Sequence, residues 1–343
     1  MDTLTDIAME ALRVAPLLLL ALAVIFAVGV AYSVRGAMRP LGKDLGWCLG
    51  RGEPTGPEDL GTTGRELTLD LTDENATTIA WDLDGQQPDG PAVLFVHGHS
   101  GSRYHALGMI APLLPHASRI WTFDQRGHGD ATPRSCTLGV REPADIVAVI
   151  AQVRQQLDET SPDTPLIVFG ASMGAQSALA AVATHTTPGT VAGLALMGVY
   201  RKLIEPLPGH ARRKGVPVWM FVRPTLAVLR CLLGPGIRFD RTADAAKLPC
   251  PLLLLHGEHD DLCPLASAQA IANAAQQAGV DTQLEVFPEG GHTRLYRTHS
   301  EQYTQTLAGF LQRFTNQNGS NPSVMSTDSA DDAEAPEPPS ENP

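Results

Sequence analysis

The chain has 343 residues, enough for two domains or for one α/β domain with extensions, and its 43% apolar content can supply a sizeable core. With 37 acidic against 25 basic residues it carries a formal charge of −12 and no basic stripe, which argues against a nucleic-acid partner. The five cysteines (Cys48, Cys136, Cys231, Cys250 and Cys263) are odd in number and scattered, so they form neither a CxxC pair nor a disulfide framework, and they favour a reducing compartment.

After a short tail, 1–13, residues 14–34 carry no charge. At about 1.5 Å per residue such a helix covers roughly 30 Å, the thickness of a bilayer core, so one transmembrane helix is expected there. A secretory signal would have a shorter apolar region and a basic flank; this flank holds Asp2, Asp6 and Glu10 against Arg13 alone. A buried core helix is the other alternative, but a run so uniformly apolar before a polar linker has little to pack against. Arg35, Arg39, Lys43 and Arg51 follow the span, which puts the large domain on the cytoplasmic side of the cell membrane.

Residues 35–64 are rich in Gly, Pro, Thr and charge and read as a juxtamembrane linker. Arg65–Leu71 and Thr77–Leu83 alternate apolar and polar, as an antiparallel hairpin would. Ala92–Val96 and Ile120–Phe123 are dense apolar runs suited to central strands. Ile146, Val149, Ile150, Val153 and Leu157 repeat at helical spacing within 143–157. Further strands are expected at 191–197, 251–255 and 282–287, with helices at 265–278 and 300–314 between them. Strand alternating with helix implies a mostly parallel, doubly wound sheet of about eight strands in one domain, 65–315. From 316 to 343 the chain is Ser, Pro, Asn and acid, including Asp328, Asp331, Asp332, Glu334, Glu337 and Glu341, and reads as a disordered acidic tail.

The chain is organised around 165–179. A short apolar strand runs into Gly170-Ala-Ser172-Met-Gly174, and an Ala/Leu-rich helix follows. Gly-x-Ser-x-Gly between strand and helix is the pattern of a serine held on a sharp, strained turn. The motif also arises by chance, so the partners decide. A serine hydroxyl needs a histidine base oriented by a carboxylate. In a parallel sheet these groups leave the carboxyl ends of later strands. Strand 251–255 leads to His256-Gly-Glu-His259-Asp260, and strand 282–287 leads to Gly291-His292. Ser172, Asp260 and His292 thus follow in the order nucleophile, acid, histidine. Asp261 is the neighbouring alternative acid, and the spacing from Gly257 favours Asp260. The His256/His259 pair and the His97/His99 pair both invite a metal reading, but neither has companions at a known ligand spacing; no metal and no cofactor is expected. Cys263 reads as a packed thiol rather than a reactive one. An oxyanion needs two N–H donors: Met173, just after the nucleophile, and His99, in the Gly-containing loop 97–101. Both would donate from the backbone.

His97-Gly98-x-x-Gly101, Asp124-x-Arg126-Gly127-His128-Gly129, Gly170-x-Ser172-x-Gly174, Gly257-x-x-Asp260 and Gly291-His292 together resemble the α/β-hydrolase superfamily. The likeness is to its serine branch of monoacylglycerol-lipase-like enzymes, carboxylesterases and proline-iminopeptidase-like peptidases, and it covers about 65–315. The resemblance implies that the Asp-x-Arg-Gly-His-Gly turn is structural and that a serine elbow excludes the aspartate-dependent dehalogenases and epoxide hydrolases. The chain departs from the family in Asp130-Ala-Thr132 after that turn, where a small residue or serine is common. It also implies a lid, here 199–247, basic first (Arg201, Lys202, Arg212, Arg213, Lys214) and then apolar. That lid reads either as a cap helix over the pocket or as a surface against a bilayer. The expected function is a membrane-anchored ester hydrolase with a small-molecule or lipid ester as substrate. A peptidase or amidase on the same triad and a catalytically silent binding protein are the alternatives. Oligomeric state is not legible.

Overall fold

Residues Asp2–Met38 form one helix, α1, in the computed structural model, which describes residues 2–185 and 189–315. The expected acidic tail, 316–343, lies outside the described residues. Within α1, the stretch Met9–Met38 holds an 18-residue window of mean hydropathy 2.8 and is long and apolar enough to cross a membrane. The helix outruns the charge-free span 14–34 at both ends, because charge does not stop a helix: Arg13 and Glu10 pair at 3.3 Å one turn apart. Most of α1 touches no other part of the protein. Its last turns do: Val30 and Val34 are buried.

Along the rest of the chain lie α2 (Leu45–Leu49), β1 (Gly64–Asp70), β2 (Thr77–Asp84), β3 (Ala92–Val96), α3 (Arg103–Ile110), β4 (Arg119–Phe123), α4 (Glu142–Thr160), β5 (Leu166–Ala171) and α5 (Met173–His185). Then follow β6 (Gly193–Met197), α6 (Pro206–Arg213), α7 (Val218–Leu233), α8 (Thr242–Ala245), β7 (Leu252–Gly257), α9 (Leu265–Gln277), β8 (Thr282–Phe287), α10 (Leu295–Thr298) and α11 (Ser300–Gln312). The strands make one eight-stranded sheet in the order β1-β2-β4-β3-β5-β6-β7-β8. β2 pairs antiparallel with β1 and β4, and every other pairing is parallel. The alternating pattern of β1 and β2 puts them at an edge, whereas β3, β5, β6 and β7 are buried at every residue, as their unbroken apolar runs require.

Helices cover both faces. Ile146, Val149, Ile150 and Val153 of α4 pack with Leu179 and Val182 of α5 on one side. Leu107 and Ile110 of α3 pack with Phe310 and Leu311 of α11 and with Phe95 and Phe169 on the other. A third, smaller core joins the end of α1 to the lid, with Val30, Val34, Tyr200, Leu226, Leu229 and Met173 together.

The segment 35–64, expected as a linker, is folded down onto the domain. Asp44 caps α2 by accepting from the Trp47 N–H at 2.9 Å. The Lys43 N–H donates to Ser100 O at 3.0 Å, and the Ser102 hydroxyl donates to Lys43 O. No hydrophobic period announces this, because the segment is held by backbone hydrogen bonds to a loop rather than by an apolar face.

Candidate active site

β5 ends at Ala171 and α5 begins at Met173, so the chain reverses within one residue, Ser172, whose φ is +53°. A non-glycine residue in that region is strained and persists only where its surroundings hold it. The surroundings here are tight. A Cβ on Gly174 would stand 2.2 Å from Val96 O, and one on Gly170 would stand 2.7 Å from Ala175 Cα. The Ser172 N–H donates to Met197 O at 2.8 Å, which pins the turn against the end of β6.

The loops after β7 and β8 bring two further groups to Ser172. His292 Nε2 lies 2.8 Å from Ser172 Oγ, and His292 Nδ1 lies 2.7 Å from Asp260 Oδ2. The other Asp260 oxygen accepts from the N–H groups of Leu262 (2.9 Å) and Cys263 (2.8 Å). Burial alone would raise the Asp260 carboxyl. The hydrogen bond and charge of His292, with the Cys263 amide, outweigh it and hold the group below its ordinary value, ionised. The neighbouring Asp261 points elsewhere: it is exposed and pairs with Arg213 at 2.5 Å.

Several of the remaining histidines have structural partners. His97 donates from Nδ1 to Gly98 O at 2.8 Å and accepts at Nε2 from the Gln125 N–H at 3.0 Å. His128 donates to Arg126 O at 2.9 Å and accepts from the Ser100 N–H at 3.1 Å, so the Asp-x-Arg-Gly-His-Gly turn braces loop 97–101. The buried Asp124 takes the N–H of Arg103 (2.8 Å) and of Asp130 (3.1 Å), and Arg126 binds Asp145 of α4 through two nitrogens. His256 Nε2 lies 2.8 Å from Cys263 O. Burial pushes the Cys263 thiol well up, so it is a protonated, packed group. Asp260, Cys263 and His292 have donor atoms within 4.8 Å of one another, but a protonated thiol beside two committed partners makes a poor metal set. Glu258, His259 and Glu289 form a second such group on the exposed surface.

The backbone N–H of His99 and that of Met173, which opens α5, donate to no acceptor among the described residues. The His99 ring is engaged: Nε2 donates to Ala37 O, at the end of α1, over 2.9 Å.

Two chambers meet at Ser172. The first is narrow and apolar, about 100 Å³, and runs between the end of α1, α6 and α7 past Met173, Leu207, Phe221 and Val222. The second is wider, about 620 Å³, and polar; Lys43, His105, Arg213, Arg294 and Arg297 line it with Glu53 and Asp261. Arg297 is paired with Glu53 and Arg213 with Asp261, whereas Lys43 and Arg294 have no ion-pair partner among the described residues. Burial and the facing Arg294 lower the Lys43 ammonium to about 8. Burial and Lys43 in turn hold His105 at about 3, neutral, with its Nε2 2.9 Å from Lys43 Nζ. This cationic wall has no sequence signature: Lys43 precedes the domain and Arg294 lies near its end. Ser33, Gly36 and Ala37, which line the first chamber from the end of α1, carry none either.

The family model described as the alpha/beta hydrolase family matches residues 93–306. The chain belongs to the alpha/beta hydrolase family. Over 254 residues this hydrolase is 24% identical to the lysophosphatidylserine lipase of Xenopus tropicalis, covering 70% of this chain and 62% of that protein. Over 128 residues it is 38% identical to a proline iminopeptidase of Arabidopsis thaliana, covering 36% of this chain and 30% of that one. The chain thus spans under two thirds of the length of these relatives. An esterase of Pyrococcus furiosus has the same fold: its solved structure superposes with a TM-score of 0.63 at 20% identity, over 77% of this chain and 96% of the esterase.

Proposed function

We propose that this hydrolase cleaves the carboxylic ester of an amphiphile by acyl transfer through Ser172. One observation carries the reading: the Ser172–His292–Asp260 relay sits where an apolar chamber and a cationic chamber join. His292 Nε2 takes the hydroxyl proton as Ser172 Oγ attacks the ester carbonyl. The backbone N–H groups of His99 and Met173 receive the oxyanion, each worth roughly 3 kcal/mol. His292 then protonates the leaving alcohol. A water deprotonated by the same imidazole releases the acid. Asp260 fixes the tautomer with hydrogen on Nδ1 and stabilises the imidazolium without itself being protonated.

In this reading the acyl chain lies in the narrow chamber and the alcohol part in the wide one. Lys43 and Arg294 favour an anionic head, such as the phosphate of a lysophospholipid, and lysophosphatidylserine is the substrate in a relative's name. Residues 14–34 of α1 span the cell membrane and Arg35, Arg39, Lys43 and Arg51 keep the catalytic domain, 65–315 with its lid at 199–247, on the cytoplasmic side. A reporter fused to the C-terminus and active only outside the cell would reverse that orientation.

A peptidase is the second reading, favoured by the iminopeptidase match. An aminopeptidase needs a free carboxylate for the substrate's ammonium, and the two acids of the wide chamber, Glu53 and Asp261, are already held by arginines. The test is purified protein given 1-acyl lysophosphatidylserine, monoacylglycerol and proline p-nitroanilide side by side. Ester turnover with no anilide cleavage is expected. Anilide cleavage faster than that of either ester would replace the esterase reading by the peptidase one.

A further inference from the structure

The apolar helix at the N-terminus does more than lie beside the domain. Ser33 stands one turn before Gly36 and Ala37 on α1, and all three line the same chamber as Ser172. Opposite them are Leu207 of α6 and Phe221 of α7. The seam between α1 and α7 is close. Phe26 stacks on Phe221 with ring centroids 5.5 Å apart, and a Cβ on Gly29 would stand 2.4 Å from the Phe221 ring. Val30 and Val34 are buried in this seam, whereas Ile25 and Val28 face outwards. The end of α1 is tied to loop 97–101 and to the loop after β4 by two hydrogen bonds, His99 Nε2 to Ala37 O at 2.9 Å and the Cys136 N–H to Met38 O at 2.8 Å. The chamber wall is thus fixed relative to Ser172.

We propose that the last turns of α1 are the acyl-chain gauge of the hydrolase: Ser33, Gly36 and Ala37 form the wall that sets how long a chain the active site accepts. The proposal rests on the ester-hydrolase reading above and adds the residues that select its substrate. Small side chains are what the position demands, because each methylene added to the wall removes room for one of the substrate. A Cβ on Gly36 would approach only Lys214 Nζ, at 3.3 Å, the mobile end of a long side chain, so Gly36 admits a larger residue without displacing backbone. Ser33 is partly buried and its hydroxyl donates to Gly29 O at 2.9 Å within α1, leaving its position free of any bond to the lid.

The test uses the full-length protein in detergent with p-nitrophenyl esters from acetate to dodecanoate. For wild type, kcat/KM should rise about fourfold per methylene, the equivalent of about 0.8 kcal/mol, until the chamber is full, and then level off. In Gly36→Leu, and independently in Ser33→Phe, the ratio of kcat/KM for decanoate over acetate should fall at least tenfold and the plateau should come at a shorter chain. Ile25→Phe, on the outward face of the same helix, should leave the ratio unchanged. Acetate turnover above the Ser172→Ala background shows that a variant is folded. Wild-type turnover with a decanoate-to-acetate ratio unmoved in both wall variants, or a fall shared equally by all esters, would overturn the gauge and leave the ester-hydrolase reading standing. Wild-type protein inert toward every chain length would overturn both.

Discussion

Ser172, Asp260 and His292 each lie in the loop that leaves the carboxyl end of a strand (β5, β7 and β8), and each has a local signature: Gly-x-Ser-x-Gly, Gly-x-x-Asp and Gly-His. That is why they can be picked out of the sequence, and why Asp261, which differs from Asp260 only by one position, ends on the surface with Arg213. Ser172→Ala should lower kcat/KM by roughly 10⁶-fold, the loss seen when such a unit loses its nucleophile, and Asp260→Asn by about 10⁴-fold because the imidazole takes the wrong tautomer. Steady-state kinetics on one ester check both; a loss below tenfold in either would remove that residue from the chemistry. His99 should behave differently, since in the proposed mechanism only its backbone faces the reaction. His99→Ala should keep turnover within roughly tenfold but cost about 1–3 kcal/mol of stability, because Ala37 O loses its donor. The sequence marks Lys43 only as one of the cations after the apolar span and Arg294 not at all, because the chamber they share draws residues far apart in the chain and leaves no spacing to read. Lys43→Met should raise KM for lysophosphatidylserine at least tenfold, the weight of a charge-assisted hydrogen bond, and change monoacylglycerol hydrolysis less. An equal change on both substrates would mean that Lys43 supports the fold and not the head group.

At the scale of elements, periodicity located most strands and helices within a few residues, because each central strand is buried on both faces and each long helix on one. Ala92–Val96 and Thr282–Phe287 match their expected limits. What periodicity missed is α3, whose eight residues pack Leu107 and Ile110 into the core but are too few to show a period, and the folding of 35–64 onto loop 97–101, held largely by hydrogen bonds. The turn at Ser172 depends on the contact of α5 with β3. Gly174→Ala puts a methyl 2.2 Å from Val96 O, so the two elements must separate. The variant should lose catalysis by far more than its one added methyl suggests and should melt several degrees lower; unchanged activity would mean that the turn is softer than its geometry.

For the whole molecule, the sheet, its helices and the site form one body, and several histidines are buried in it without charge. Burial pushes His97 and His99 down to about 4, and His128 and His210 to about 3. An unfolded imidazole titrates near 6.5, so between that pH and about 4 the unfolded chain binds more protons than the folded one. Stability therefore rises with pH in this window and is lost on acidification, by up to about 1.4 kcal/mol per pH unit for each histidine. The melting temperature of the detergent-solubilised protein should fall by roughly 10 °C between pH 7 and pH 5. A flat profile would mean that these rings are open to solvent. Hydropathy reveals that α1 is apolar, but not which of its faces turns inwards. Its part in the active site needed the fold to become visible.

The proposed chemistry requires Ser172 to be the nucleophile. Intact-mass spectrometry of the full-length protein after exposure to a fluorophosphonate is the decisive measurement. One adduct per chain is expected, mapping to the peptide that contains Ser172, with none on Ser172→Ala. An unlabelled wild type, or an adduct that persists in Ser172→Ala, would contradict it.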